Sequence, residues 1–432
     1  MHLVYENLIP NLVLMWTGHF KGLDEGNRSY ELPSTVWEAI GKATQESGST
    51  IPYAYGARPR NVVENKSSIT ADMWSFWTLY LAPPLLENRF TEKAFYTHFI
   101  ELVKLINLCL QFDLTRADIL AIREGFQTWV LQYEKLYYQY EPSRLPTCPA
   151  VVHDLLHIAD GIESLGPVWA YWAFPMERYC GRLLPAIKSR RFPFANIDNF
   201  VMATAQIAQI KIVYGLKDDL LLGSKNSAAL GLAIPEYEEF RLHSPRIQSP
   251  TLDAGIREQL IAAVSTRYDK SMTIARRVFD QSDLEVWGRI GIVNGGDIMR
   301  ACEVGKRSAE DSRDATFVRY ELLVDRNARF KNKKPKLEPQ THYGQLQRIF
   351  LIRLRPSKAL GIPEGETIIL VAIKSCKIIR STALDMHCYK VHGSTDIVDA
   401  TTLQCLVGRI FDRKQWVIFD RSGNLARPSF DI

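Results

Sequence analysis

At 432 residues the chain is longer than one compact core usually accommodates, so two or three domains are expected. Hydrophobic residues make up 46% and charged residues 23%, ordinary proportions for a soluble globular protein. A net charge of +5 permits nucleic-acid contact without requiring it.

Seven cysteines (Cys109, Cys148, Cys180, Cys302, Cys376, Cys388 and Cys405) are scattered and never spaced as Cys-x-x-Cys. A disulfide framework and a zinc finger are poor readings of that pattern; reduced, mostly buried thiols are the better one. The start, with His2, Tyr5 and Glu6, carries no basic leader, and no apolar run approaches the roughly 18 residues of a membrane span. A soluble, intracellular protein is expected, with no membrane partner.

In chain order, Leu3, Val4, Leu8, Leu12 and Val13 stand near helical spacing directly after Met1, as an uncapped apolar first turn. The element is therefore expected to extend upstream of Met1. Phe95, Phe99, Leu102, Val103, Ile106 and Cys109 repeat at three and four residues and predict a helix. Thr115, with Asp118 three residues on, predicts a capped helix whose broad apolar face runs from Ile119 to Tyr140, ended by Pro142 and Pro146. Further helices are expected from Pro149 to about Ser164, from Pro175, from about Asn196 to Tyr214, and from about Leu252 to Asp280. Residues 281–340 are polar and interrupted and read as a linker. From Arg326 to Lys336 that stretch has six basic residues and no acid. From Thr341 the period becomes strand-like, in Gln347–Leu354, Thr367–Ile373, Thr402–Ile410 and Trp416–Phe419.

Among candidate chemical groups, His153 and His157 lie one helical turn apart, a spacing that can hold a metal ion or merely pack. A zincin would have Glu after the first histidine and a third ligand; here Asp154 follows and no third ligand is evident. The glycine-containing runs Gly291–Gly296 and Gly361–Gly365 lack dinucleotide and P-loop patterns and read as turns. Glu177 follows Pro175 in the first turn of a predicted helix, where the helix dipole favours an acid. It reads as a capping carboxylate. The aromatic residues around it, Trp169, Tyr171, Trp172, Phe174 and Tyr179, suggest a partly desolvated functional acid instead.

The run Leu156–Asp160, Gly166–Val168 and Phe174–Gly181 resembles the helical C-terminal segment of CACTA (En/Spm-like) DNA transposases. Gly48–Pro52, Arg58–Asn61 and Met1-His2-Leu3 with Glu6-Asn7 add to the likeness. Tyr137–Tyr140 and Ser189–Pro193 bring it nearest to basidiomycete fungal versions. His342–Gly344, Val407–Arg409 and Asp420–Gly423 are similar to the small domain that trails many such transposases. The resemblance covers roughly 1–215 and 340–425. It implies an RNase H-like core whose Asp-Asp-Glu triad holds two Mg²⁺ or Mn²⁺ ions for phosphodiester cleavage and strand transfer. It implies that Glu177 is the final acid of the triad. Tyr171 stands where the family often has Arg. Both catalytic aspartates are expected upstream of Met1, and one carboxylate cannot hold two such ions.

The expected fold class is α+β. A helical insertion-like domain would span 1–165, and a helical region carrying Glu177, part of an incomplete RNase H-like core, 166–280. A basic linker would span 281–340 and a small β-rich domain 341–432. The expected function is that of a transposon-encoded, nuclear fragment without autonomous DNA cleavage and without cofactor on its own. Glu177 would bind metal only with the aspartates restored. An accessory module is the alternative, binding DNA through Arg329, Lys331, Lys333, Lys334 and Lys336 or binding full-length transposase. An unrelated enzyme is the third reading.

Overall fold

The computed structural model describes residues 2–20, 23, 28–64, 69–216, 220, 231–293, 296–304, 313–327, 329, 332–421 and 425–426. Two compact units account for the fold. One comprises residues 1–40, 65–225 and 423–432; the other comprises 41–64 and 226–422.

The first unit is helical. A π-helical turn, His2–Leu8, leads into α1 (Ile9–Trp16), and α2 (Ser34–Ser47) begins in this unit. Then come α3 (Ala71–Phe76), α4 (Ala82–Leu86), α5 (Lys93–Cys109) and α6 (Arg116–Tyr133). Thr115 and Asp118 form a reciprocal capping box at the start of α6, as their spacing predicts. The core is aromatic: Trp16, Tyr30, Phe99, Phe126, Trp129, Tyr133 and Tyr137 are fully buried. Their polar atoms are paired, with Trp16 Nε1 donating to Tyr137 Oη at 3.0 Å and Tyr133 Oη to the Thr147 carbonyl at 2.6 Å. Buried Arg144 donates to the Tyr137 carbonyl and to Tyr30 Oη. The helix expected after Pro149 is two short pieces, α7 (Ala150–Asp154) and α8 (Ile158–Leu165), joined by a 3₁₀ turn at Leu155–His157. After α9 (Val168–Tyr171) come α10 (Phe174–Leu183) and α11 (Pro193–Tyr214).

The second unit is built on an antiparallel sheet whose ten strands are β1 (Leu232–Ala233), β2 (Phe240–Gln248), β3 (Asp283–Ile292), β4 (Ile298–Arg300), β5 (Phe317–Asp325), β6 (Leu337–Leu354), β7 (Glu366–Ser381), β8 (His387–Asp399), β9 (Leu403–Asp412) and β10 (Gln415–Asp420). Pairing runs β6–β5–β9–β10–β8–β7 and returns from β7 to β6, closing a six-stranded barrel. Strands β3, β2 and β1 extend from β6, and β4 pairs with β3. Helices α12 (Ala254–Arg267) and α13 (Met272–Phe279) cover one face of the sheet. Leu260, Ile261, Val264, Val278 and Phe279 pack there on Val286, Phe350, Ile352, Ile368 and Leu370. Ile349 and Leu351 of β6 face the opposite core with Val318, Tyr320, Ile369 and Val371. Both faces of β6 are thus buried, which accounts for its unbroken apolar run.

The α+β class holds, but the boundaries differ from those the sequence suggests. Residues 281–340 contain β3, β4, β5 and the start of β6 and are integral to the sheet rather than a linker. Short, polar-punctuated strands there lack a long apolar run because β5 alternates buried and half-buried positions toward its exposed end. The region 166–280 is likewise not wholly helical, since β1 and β2 lie within it, and the helix expected over 252–280 breaks at Tyr268–Ser271. Residues 41–64 belong with the barrel rather than with the helical domain. Tyr55 Oη lies 3.2 Å from the Leu406 carbonyl and 3.1 Å from that of Phe419, and the Asp314 amide donates to the Ser49 carbonyl. Gly41 is required by this return: a Cβ there would sit 2.2 Å from Asn61 Oδ1. Gly361 and Gly365 have positive φ in a turn, as expected, whereas Gly291 lies within β3.

Candidate functional site

Pro175 occupies the first turn of α10 and Glu177 follows within it. The carboxylate is half exposed, with Oε1 3.1 Å from His2 Nε2; the other ring nitrogen of His2 contacts Glu6. The expected aromatic enclosure does not form. Trp169, Tyr171 and Tyr179 are 38%, 42% and 45% exposed, and no residue of α10 is buried. Trp172 and Phe174 stack edge-on against each other. Aromatic density in sequence does not desolvate a neighbour unless a second layer covers the rings, and none of the described residues buries α10. Among the described residues, no group of three or more His, Cys, Asp or Glu side chains could hold a metal ion. Close to this helix, Asp72 in the first turn of α3 is raised by burial, opposed by the Arg178 guanidinium. Nothing in the sequence marks Asp72 beyond its place after the Thr70 cap.

The basic stretch is the tip of the β5–β6 hairpin. Asp325 Oδ1 accepts from the Asn327 and Lys336 amides at 2.8 and 2.7 Å, and Asn327 Nδ2 donates to the Lys334 carbonyl. Arg329, Lys333, Lys334 and Lys336 are exposed, while Lys331 lies outside the described residues. Glu338 partly offsets the charge: Lys336 Nζ and Arg326 Nε lie 2.9 and 2.5 Å from it, and both cations hold its carboxyl below the usual range.

His153 and His157 are exposed, with Nε2 atoms 3.3 Å apart; His157 Nδ1 faces Asp160 Oδ2 at 3.4 Å. In the barrel, a polar cluster appears that the sequence does not announce. The Arg409 guanidinium carbon lies 3.2 Å from the Phe317 ring centre and 4.4 Å from that of Trp416. It donates to Tyr389 Oη at 2.6 Å and to Asp314 Oδ2 at 2.8 Å, while Asp314 also accepts from Thr316. Three tyrosines donate to carboxylates nearby in the unit: Tyr237 to Asp399, Tyr320 to Asp396 and Tyr343 to Asp420. Burial first, and then these acids, push all three phenols up. These groups largely satisfy one another, so the cluster reads as framework for the barrel. The chain separations within the cluster, such as Asp314 to Arg409, give no sequence signal.

No protein-family model, no curated protein and no solved structure matches the chain.

Proposed function

We propose that this chain is the C-terminal part of a CACTA-type DNA transposase that does not cleave DNA on its own and whose final triad acid is Glu177. One observation carries the reading beyond the sequence resemblance. Helix α11 has 22 residues with two charged side chains, Asp198 and Lys211, and none of its residues is buried. A helix that is apolar on every side belongs inside a larger core. Together with α10, which is also unburied, it fits the last helices of a catalytic core whose sheet is supplied by other residues. The exposed Glu177, which among the described residues is held by His2, fits an acid awaiting its two aspartates and their Mg²⁺ or Mn²⁺. Joining the chain to an upstream region with those aspartates is expected to create Mg²⁺- or Mn²⁺-dependent DNA cleavage. Glu177→Gln should abolish it. Cleavage that survives Glu177→Gln, in a protein with an unchanged melting curve, refutes the assignment and leaves Glu177 a cap.

A second reading, a nuclear accessory that binds DNA or full-length transposase, is favoured by the exposed Arg329, Lys333 and Lys334 at the hairpin tip. Phosphate contacts by these residues would give a steep loss of affinity with salt. Reversing their charges should flatten that dependence in gel shifts. An unaltered salt slope leaves the hairpin as a solvated surface.

A further inference from the structure

The segment 150–165 presents two stripes. Val152, Leu155, Ala159 and Ile162 are buried and fix it to the helical unit. His153, His157 and Asp160, each displaced by about one residue, form a solvent-facing row. The row thus stands on a scaffold held from below, as a preorganised site requires.

Within this row the imidazoles are not randomly placed. Their ring centres are 5.0 Å apart at 74°, and the Nε2 atoms converge to 3.3 Å. Two neutral imidazoles bound to one tetrahedral ion, at metal–nitrogen distances of about 2.0–2.1 Å, have nitrogens roughly 3.4 Å apart. Ligands at right angles, as in square or octahedral coordination at the same bond length, would be about 2.9 Å apart. The observed spacing is the tetrahedral one. Asp160 adds the element that metal-bound histidines usually have, a carboxylate at the other ring nitrogen. It favours the tautomer with the proton on His157 Nδ1, which leaves Nε2, 3.3 Å from His153 Nε2, with a free lone pair. Arg123 contacts Asp160 and also Glu163, at 3.0 Å, which fixes the carboxylate's position.

We propose that His153 and His157 form a surface site for a tetrahedral divalent ion, Zn²⁺, with Asp160 as its positioning residue and water in the remaining places. The two nitrogens are its protein ligands; Asp160 orients one of them and does not itself coordinate. This site is separate from Glu177 and does not depend on the transposase reading. A hydrogen bond between the two rings, with His153 Nε2 as donor, is the competing account of the same distance.

Titrating the full chain with Zn²⁺ at neutral pH, under reducing conditions, separates the two. One saturable equivalent should bind, and His153→Asn and His157→Asn should each remove it. Asp160→Asn should weaken it about 10-fold or more. Because all three side chains are exposed, the variants should keep the parent's circular dichroism. Co²⁺ supplies a readout independent of the variants: tetrahedral nitrogen ligation gives an intense visible band without thiolate charge transfer. Absence of saturable Zn²⁺ binding, or undiminished binding by the His153→Asn/His157→Asn chain, overturns the proposal. So does a Co²⁺ spectrum of octahedral or thiolate type.

Discussion

Residues 93–162 and 168–214 belong to the same helical unit and are both rich in apolar side chains, yet they end differently. In the first region α5 buries Phe95, Phe99, Leu102, Val103 and Ile106, while Glu101 and Lys104 pair with each other in solvent. In the second, α9, α10 and α11 bury nothing; Phe194 is 79% exposed and Ile212 is 82% exposed. Apolar content therefore does not decide burial. Helix α5 has a polar face to offer to water and so completes a small core by itself. Helix α11 has Phe194, Ile197, Phe200, Met202, Ile210 and Val213 distributed around its axis. It can satisfy them only within a core that surrounds it.

The comparison can be tested by breaking cores, and the largest effect is expected in the barrel. Arg409 is 6% exposed and Asp314 is 7% exposed. Arg409→Met would retain the packing against Phe317 and Trp416 but leave the Asp314 carboxylate in the interior without its closest cation. Losing one member of a buried pair costs about 3–5 kcal/mol. Chemical denaturation of the barrel unit should show a loss of that order. A loss below about 1 kcal/mol would mean that Thr316 and Arg300, 3.9 Å from Asp314, suffice for the acid.

A second prediction uses pH on the packed helical core. His98 is stacked on Trp129 with ring centres 4.3 Å apart, and its Nε2 lies 3.0 Å from the Trp129 carbonyl. Burial pulls its pKa down to about 4, against which the hydrogen bond to Trp129 acts weakly. The unfolded chain binds a proton near 6.5 and the folded chain does not until about 4. The stability this group confers is therefore present above the unfolded value. It is lost as pH falls through that window, by about 3 kcal/mol at most. Unfolding followed by tryptophan emission should show this acid-side loss, and His98→Gln should flatten it. An identical pH profile in the variant would mean that other groups carry the acid sensitivity.

How much of this was readable in the sequence follows from the range of the forces involved. The Thr115–Asp118 box and the α5 stripe are local, and they stand where the spacing puts them. Strands β6 and β7 were legible from Thr341 because they are buried on both faces and so carry long apolar runs, and β9 and β10 were read as well, but β8 was not. Strands β2, β3 and β5 were not, since their identity depends on partners far along the chain, such as Val286 against Phe350 and Val318 against Leu406. The same holds for the sites. The position of Glu177 in the first turn of a helix was readable from Pro175, but its solvation depends on what covers α10, and the aromatic residues nearby do not. The histidine spacing was readable; the convergence of the two Nε2 atoms and the placement of Asp160 needed the three-dimensional turn between them.

The smallest expected effect is the sharpest test of the opening contrast. Phe126 in α6 is 1% exposed, and Phe126→Ala should cost about 3–5 kcal/mol through lost burial and a cavity. Phe200 in α11 is 41% exposed, and Phe200→Ser or Ile212→Ser should change the stability of the isolated chain by no more than about 0.5 kcal/mol. The same substitutions should reduce self-association, because exposed apolar side chains on one long helix form a patch that favours contact. Sedimentation at several concentrations reads the second effect and denaturation reads the first. If Phe200→Ser destabilises the monomer by as much as Phe126→Ala, the helix already lies within a core of this chain. The unburied α11 would then no longer support the transposase reading. If stability is unchanged while association falls, α11 is an unfilled interface, and fusing the aspartate-bearing region that the proposal calls for should abolish that association by covering it.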